Sequence, residues 1–112
     1  MNVHASPETA TSLLREDRDG IAILTLNRPA ARNSLSEELI QSLSAVWDAI
    51  AADRKIRVVI LRANGPAFCA GHDLKELSAR RTDADGGKAY FRHIMTICSA
   101  MMQKIVALPQ PV

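Results

Sequence analysis

The chain has 112 residues and a mass of 12.2 kDa, the size of one ordinary domain. Apolar residues make up 47% and charged residues 23% of the sequence, which excludes collagen-like, disordered and acidic low-complexity polymers. Fourteen Lys and Arg against twelve Asp and Glu leave a formal net charge of +2. The basic residues alternate with acids and form no stripe, so a nucleic-acid partner is not expected.

The cysteines and the N-terminus bear on the cellular compartment. Cys69 and Cys98 are too few and too far apart in sequence for a disulfide scaffold or a zinc site, and we predict no metal. Residues 1–12 lack the apolar and basic regions of a signal peptide. No apolar run approaches the roughly 20 residues that span a bilayer. These features predict a cytoplasmic protein without a membrane partner.

The first half of the chain predicts a hairpin followed by a strand–helix–strand unit. A short strand is predicted at Leu13–Asp17, followed by a turn at Asp17–Gly20. Two largely apolar runs predict further strands at Ile21–Leu26 and Ile56–Leu61. The second and third strands are nearly all apolar, which is typical of strands covered on both faces. Between them, apolar residues at helical spacing predict a helix ending near Ala52. Its N-cap is Ser34, in a capping box with Glu37, or equally well Ser36.

The second half predicts two helices. Asp73 as N-cap, with Glu76 three residues later, opens a short helix to about Ala79. After a loop, a long helix is predicted over Lys88–Ala107. Its apolar stripe consists of Phe91, Ile94, Cys98, Met101, Ile105 and Leu108. The order of elements predicts an α/β fold with a crossover connection and a mostly parallel sheet. Pro111-Val112 is typical of the start of another strand.

The junction between the third strand and the short helix is the candidate site. Ala70 and Gly71 have almost no side chain, so a ligand can approach the backbone closely. Phe68 is expected to pack in the core and fix this loop. The N–H of His72, at the start of the helix, is predicted to be an unpaired donor beside the positive end of the helix dipole. An oxygen that gains negative charge would be stabilised there. The alternative is a tight turn without a ligand.

Four segments together resemble the enoyl-CoA hydratase/isomerase family, the crotonase superfamily. They are Ile23–Pro29, Asn33–Leu35, Val58–Leu61 and Ala67–Leu77, in the order and spacing of that family. The last segment is most similar to the enoyl-CoA hydratase domain-containing subgroup. The resemblance implies a crotonase (ClpP-like) ββα-spiral, of which residues 12–112 would be the N-terminal portion, truncated at its C-terminus, after a flexible lead at residues 1–11.

The same resemblance implies an acyl-CoA thioester as substrate, with no cofactor beyond the coenzyme A that is part of it. It assigns the backbone N–H of His72 to the oxyanion hole, which binds the thioester oxygen. The implied CoA-binding set is Arg28, Ala30, Ala31, Ala70, Gly71, His72, Asp73, Leu74 and Lys75. Lys75 matches a position that can meet a CoA phosphate. Ala30 stands where the family often has a charge, and Arg28 or Arg32 are candidates to replace it.

The implied reaction is the hydration of a 2-trans-enoyl-CoA through an oxyanion-stabilised enolate, in fatty acid metabolism. In the family, the second oxyanion donor and the catalytic glutamates follow a position that matches Val112. The resemblance therefore implies that this chain alone is inactive, and that the complete enzyme is a trimer or hexamer. The alternatives are a non-catalytic CoA-binding or interaction fragment, and another reaction of the family such as isomerisation or thioester hydrolysis.

Three side-chain roles compete with these assignments. The imidazole of His72 is an alternative general base, although we favour the backbone role. Asp73 and Glu76 are alternative catalytic carboxylates, but their spacing favours capping. Cys69 as a nucleophile lacks a recognisable base.

Overall fold

The computed structural model describes residues 11–112. The predicted flexible lead at residues 1–11 lies, except for Thr11, outside the described residues. Three strands form one sheet in the order β1-β2-β3. The strands are β1 (Leu13–Arg18), β2 (Ile21–Leu26) and β3 (Val58–Ala63), and the helices are α1 (Glu37–Ala51), α2 (Leu74–Ala79) and α3 (Lys88–Ala107). Single 3₁₀ turns lie at Pro29–Ala31 and Arg80–Thr82.

The hairpin and the crossover agree with the sequence predictions. β1 and β2 are antiparallel, and Asp19 and Gly20 between them have φ values of 53° and 80°. Positive φ at both central residues is the requirement of the type I′ turn that joins tight hairpins. β3 lies parallel to β2, with Ile21 opposite Val58. The α/β fold expected from the element order is confirmed, whereas the mostly parallel sheet is not, because the described sheet has one antiparallel and one parallel strand pair.

The apolar core lies where β2, α1 and α3 meet. Its fully buried residues include Leu24, Leu39, Trp47 and Ile50. From α3, the stripe predicted by helical spacing contributes Ile94, Cys98 and Met101. The amine of Lys104 on α3 reaches Asp48 on α1 at 2.8 Å and fixes the helix pair at its edge. One cluster of side chains therefore supports the loops at the end of the sheet.

Two details of the predicted elements are settled or corrected. Ser36 is the N-cap of α1, because its hydroxyl accepts a hydrogen bond from Leu39 N–H at 3.1 Å, so the Ser34 alternative is wrong. β3 begins at Val58 and not at Ile56, because the Ile56 N–H turns back to the Asp53 carbonyl at 3.2 Å.

The prediction that β3 is covered on both faces is also wrong. Ile60 is 46% exposed, because among the described residues only one face of β3, the face of Val59, meets the core. β3 is also an edge strand of the described sheet. The end of the chain touches this edge, where Val59 N–H donates to the Pro111 carbonyl at 2.9 Å.

Candidate functional site

Two loops that are distant in sequence meet at the carboxyl end of the sheet. Leu35 N–H donates to the Gly71 carbonyl at 2.7 Å, and Asp73 N–H donates to the Leu35 carbonyl at 3.0 Å. These two bonds form an isolated parallel bridge between Leu35 and His72. A third bond, from Ala70 N–H to the Arg32 carbonyl at 3.1 Å, extends the contact by one step. The loop after β2 therefore holds the segment that precedes α2.

The bridge determines the direction of the His72 peptide. In a parallel bridge, one residue bonds through both its N–H and its C=O to the peptides on either side of its partner. The N–H and C=O of the partner residue then point away from it. Here the residue that bonds through both groups is Leu35, so the N–H of His72 points away from it. Among residues 11–112, no group accepts a hydrogen bond from this N–H. His72 thus presents an unpaired donor, as the sequence predicted.

The physical reason for this free donor differs from the predicted one. Helix α2 begins at Leu74 with Asp73 as its N-cap, so His72 precedes the cap and its N–H is not one of the helix's own donors. The helix has six residues, and its dipole contributes little. The strand-like geometry of the bridge, and not the end of the helix, leaves the His72 N–H open.

A groove of about 510 Å³ lies beside this donor. Its lining comes from both loops and consists of Arg28, Ala30, Ala31, Arg32, Ser34, Ala70, His72, Asp73, Leu74 and Lys75. Every residue of the predicted CoA-binding set lines it except Gly71. Gly71 has a φ of +94°, and a Cβ built there would meet nothing within 4 Å. The structure therefore brings the predicted residues together, with open space at the glycine. The volume lies within the usual range of small-molecule sites.

Arg28 is committed to the protein. Its guanidinium donates to the carbonyl of Ser34, to the Ser34 hydroxyl at 3.1 Å and to Asp73 Oδ2 at 3.0 Å. Burial alone would raise the pKa of Asp73, but the hydrogen bond from Arg28 and those from the N–H groups of Glu76 and Lys75 outweigh it and hold that pKa below its usual value of 3.8. The Arg28–Asp73 pair therefore ties the first loop to the N-cap of α2.

Two cations on the rim of the groove remain available to a ligand. Arg32 and Lys75 are exposed, and among the described residues neither lies within ion-pair distance of a carboxylate. Of the two arginines that were candidates to replace the charge missing at Ala30, Arg28 is paired with Asp73, and Arg32 has no ion-pair partner among the described residues. In the described part of the chain, no three His, Cys, Asp or Glu side chains form a group that could hold a metal ion.

The competing side-chain roles have the following surroundings. The Nδ1 atom of His72 is buried and has no partner in the described structure, so a ligand can reach this imidazole only at Nε2. Asp73 accepts from the N–H groups of Lys75 and Glu76, and Glu76 accepts from Glu37 N–H at 2.8 Å. Both carboxylates therefore act as helix caps here. Cys69 is half-buried against the core.

The expectation that Phe68 packs in the core is wrong. Phe68 is 55% exposed. The turn at Asn64–Ala67 is held by backbone and amide hydrogen bonds instead, so the aromatic ring is not needed to fix it.

Asn33 joins the two loops, although the sequence placed it only in a segment of the family resemblance and gave it no role at the site. It is fully buried, and its amide bonds three backbone groups of both loops. An asparagine four residues after an Arg-Pro pair, in a polar loop, was the available signal. An asparagine tolerates the left-handed conformation that it adopts here, at φ 55°.

Comparisons with known proteins agree with the fold and with this arrangement. The profile of the family described as enoyl-CoA hydratase/isomerase matches residues 16–108. The mitochondrial enoyl-CoA hydratase domain-containing protein 3 of Danio rerio is 35% identical over 112 residues, which is 100% of this chain and 37% of that protein. The human mitochondrial methylglutaconyl-CoA hydratase is 38% identical over 99 residues, which is 88% of this chain and 27% of that protein.

Solved structures show the same likeness. An enoyl-CoA hydratase of Mycobacterium smegmatis superposes with a TM-score of 0.81 and 40% identity, over 92% of this chain and 38% of the other. Human enoyl-CoA hydratase domain-containing protein 3 superposes with a TM-score of 0.80 and 33% identity, over 91% and 38%. The fold is therefore that of the N-terminal part of a crotonase-superfamily domain. The chain belongs to the enoyl-CoA hydratase/isomerase family and spans 37% and 27% of the two curated relatives described above.

Proposed function

We propose that this chain forms the acyl-CoA-binding part of an enoyl-CoA hydratase/isomerase-type enzyme. The observation that carries the proposal is the unpaired His72 N–H, which points away from Leu35 beside a groove of about 510 Å³. A thioester oxygen placed there accepts this hydrogen bond. The bond strengthens when the carbonyl becomes an enolate, because negative charge then develops on the oxygen.

The rim of the groove suits the rest of an acyl-CoA. Arg32 and Lys75 offer two positive charges to phosphate groups, and Leu74, which is 71% exposed, offers an apolar surface to the pantetheine chain. Ala30, Ala31 and Ala70 leave backbone accessible between them. Arg28 supports the walls through its bonds to Ser34 and Asp73 rather than meeting the ligand itself.

We further propose that the complete enzyme adds water to a 2-trans-enoyl-CoA, and that this chain alone binds without turnover. Hydration requires a proton to be moved on and off the substrate, which needs a positioned acid or base. Asp73 is the one carboxylate among the residues that line the groove, and it is already paired with Arg28. Fatty acid metabolism, a cytoplasmic location and a trimeric or hexameric assembly stay predictions; the two curated relatives are named as mitochondrial.

A variant pair tests the oxyanion role. His72→Pro removes the N–H, whereas His72→Ala removes the imidazole and keeps the N–H. We expect His72→Pro to weaken binding of a short acyl-CoA by about fivefold, the worth of one ordinary hydrogen bond. His72→Ala is expected to bind as the unaltered chain does. Calorimetric titration measures both, and equal affinities of the two variants would contradict the assignment.

The same preparation tests the alternative of a non-catalytic CoA-binding module. The paired state of Asp73 favours this alternative for the isolated chain. Incubation with a short enoyl-CoA, followed by loss of the absorbance of the conjugated thioester, measures hydration. We expect binding with no loss of absorbance, and turnover by the 112-residue chain would contradict the proposed lack of activity.

A further inference from the structure

The amide of Asn33 joins three points of the two loops. Its Oδ1 accepts from Arg28 N–H at 2.7 Å, and its Nδ2 donates to the carbonyls of Asn64 at 2.8 Å and Ala67 at 2.9 Å. The residue is fully buried. Both amide protons and the amide oxygen are used, so aspartate, which has the same shape, would set a carboxylate oxygen against two carbonyl oxygens.

These bonds hold the loops at van der Waals contact. A Cβ built on Gly65 would lie 2.6 Å from the Cβ of Pro29, so no side chain larger than hydrogen fits between the loops at this point. The turn that contains Gly65 lies between the two carbonyls that Asn33 binds. The separation of the loops is therefore determined by the Asn33 amide together with the absence of a side chain at Gly65.

The segment that carries His72 leaves directly from this clamped turn. The neighbours of Asn33 in sequence make the next contacts, since Arg32 accepts from Ala70 N–H at 3.1 Å and Leu35 forms the bridge with His72. A shift of the loop around Asn33 would be transmitted to Leu35 and would turn the His72 peptide. A displacement of about 1 Å is enough to misplace a group that acts in the transition state.

We propose that Asn33 is a positioning residue for the thioester oxygen, acting through the direction of the His72 N–H. This inference rests on the proposed function. It assigns Asn33 no contact with the ligand, because the residue is fully buried and is not among those that line the groove.

The experiment compares two probes on the full 112-residue chain. Butyryl-CoA carries the thioester carbonyl, and its thioether analogue, in which CH₂ replaces the carbonyl, does not. The ratio of their dissociation constants isolates the hydrogen bond to the thioester oxygen. We expect the unaltered chain to prefer the thioester by about fivefold. Asn33→Gly, which suits the positive φ of 55°, is expected to bring that ratio close to one.

A stability control separates positioning from folding. Leu43→Ala removes a buried side chain of α1 that does not line the groove, and it is expected to destabilise the chain without changing the ratio. Asn33→Asp is the second variant, expected to lose the preference as Asn33→Gly does. Circular dichroism establishes which variants are folded.

Each outcome decides the inference. A folded Asn33 variant without the preference, beside a Leu43→Ala chain that retains it, supports the positioning role. A folded Asn33 variant that keeps the preference overturns this role and leaves the proposed function intact. Loss of folding in both Asn33 variants also overturns it, since Asn33 then serves stability alone. An unaltered chain that binds both probes equally refutes the proposed function, and the inference with it.

Discussion

The helical layer and the loop junction bury their residues by different means. Between β2, α1 and α3 the buried side chains are mostly apolar, and Trp47, Leu39 and Ile50 lie there without exposure. At the junction the fully buried group is Asn33, which is held by hydrogen bonds of defined direction. Apolar contact is non-directional and tolerates substitution of similar volume, whereas a buried amide needs each of its partners. The helical layer supplies stability, and the junction supplies geometry.

Removal of Trp47 should break the helical layer with the largest effect. Trp47→Ala deletes a fully buried ring, and we expect the free energy of unfolding to fall by about 3–5 kcal/mol. Trp47 is the single tryptophan, so the variant cannot be followed by tryptophan fluorescence. Urea titration followed by circular dichroism measures both chains. Val106→Ala, at a side chain that is 87% exposed, serves as the control and should leave the unfolding midpoint unchanged. A comparable loss in both variants would contradict the position of the core.

Asp73→Asn should weaken the junction by a smaller amount. Asparagine still caps a helix but lacks the charge that faces Arg28, so we expect a loss of about 1–2 kcal/mol at pH 7. The lowered pKa of Asp73 makes its contribution present above the usual value of 3.8 and lost as the pH falls through the folded pKa. The difference between the variant and the unaltered chain should therefore vanish in acid.

Unfolding titrations at neutral and acid pH measure this difference. Asp83→Asn is the matched control, since the Arg80–Asp83 pair has a similar distance, 2.9 Å against 3.0 Å for Arg28–Asp73, but its two side chains are more exposed. It should change the free energy of unfolding by no more than about 0.5 kcal/mol. If Asp83→Asn costs as much as Asp73→Asn, the distinction between the junction and the surface fails.

Ser36→Ala probes the point where the junction becomes the helical layer. The Ser36 hydroxyl caps α1 through Leu39 N–H, and its loss should cost about 1 kcal/mol. Ser34→Ala removes the hydroxyl of the alternative cap, which here accepts from Arg28. Thermal unfolding followed by circular dichroism compares the two, and a larger loss of helicity in Ser34→Ala would contradict the capping assignment.

The smallest effect on stability is expected from Glu37→Gln, at the contact of Tyr90 on α3 with the start of α1. Burial, and then the hydrogen bond to Glu37 at 3.1 Å, raise the pKa of Tyr90 from 10.0 to about 12. Tyr90 is the single tyrosine, so the phenolate absorbance reports it alone. Its contribution to stability is complete below pH 10 and is lost as the pH rises through the folded pKa. Glu37→Gln should lower the pH midpoint of the Tyr90 phenolate titration. An unchanged titration midpoint would exclude Glu37 as a cause of the raised pKa.

The spacing of apolar residues predicts most of the helices and strands. β2 and α3 have the bounds that the sequence predicts, because a short β-branched run and a helical apolar stripe each have one stable arrangement against a core. β3 is displaced by two residues, since Ile56 is buried like a strand residue while its N–H closes a turn to Asp53. Burial and strand pairing are separate properties, and hydropathy reports only the first.

The candidate site was predicted in its members but not in its internal bonds. The resemblance named the residues that line the groove, and the structure brings them together. It did not show that Arg28 is paired with Asp73, that Asn33 joins the loops, or that Phe68 is exposed. These facts depend on side-chain hydrogen bonds between positions distant in sequence, for which no local pattern exists.

The isolated bridge between Leu35 and His72 also has a kinetic consequence. Leu35 N–H and Asp73 N–H are bonded across it, whereas His72 N–H, which lies between Gly71 and Asp73 in sequence, is not. Exchange of these amides with deuterated water should therefore alternate along the chain, slow at Asp73 and fast at the residue before it. A ligand that accepts from His72 would remove this alternation, so the rate at one amide reports occupancy of the groove without a label on the ligand.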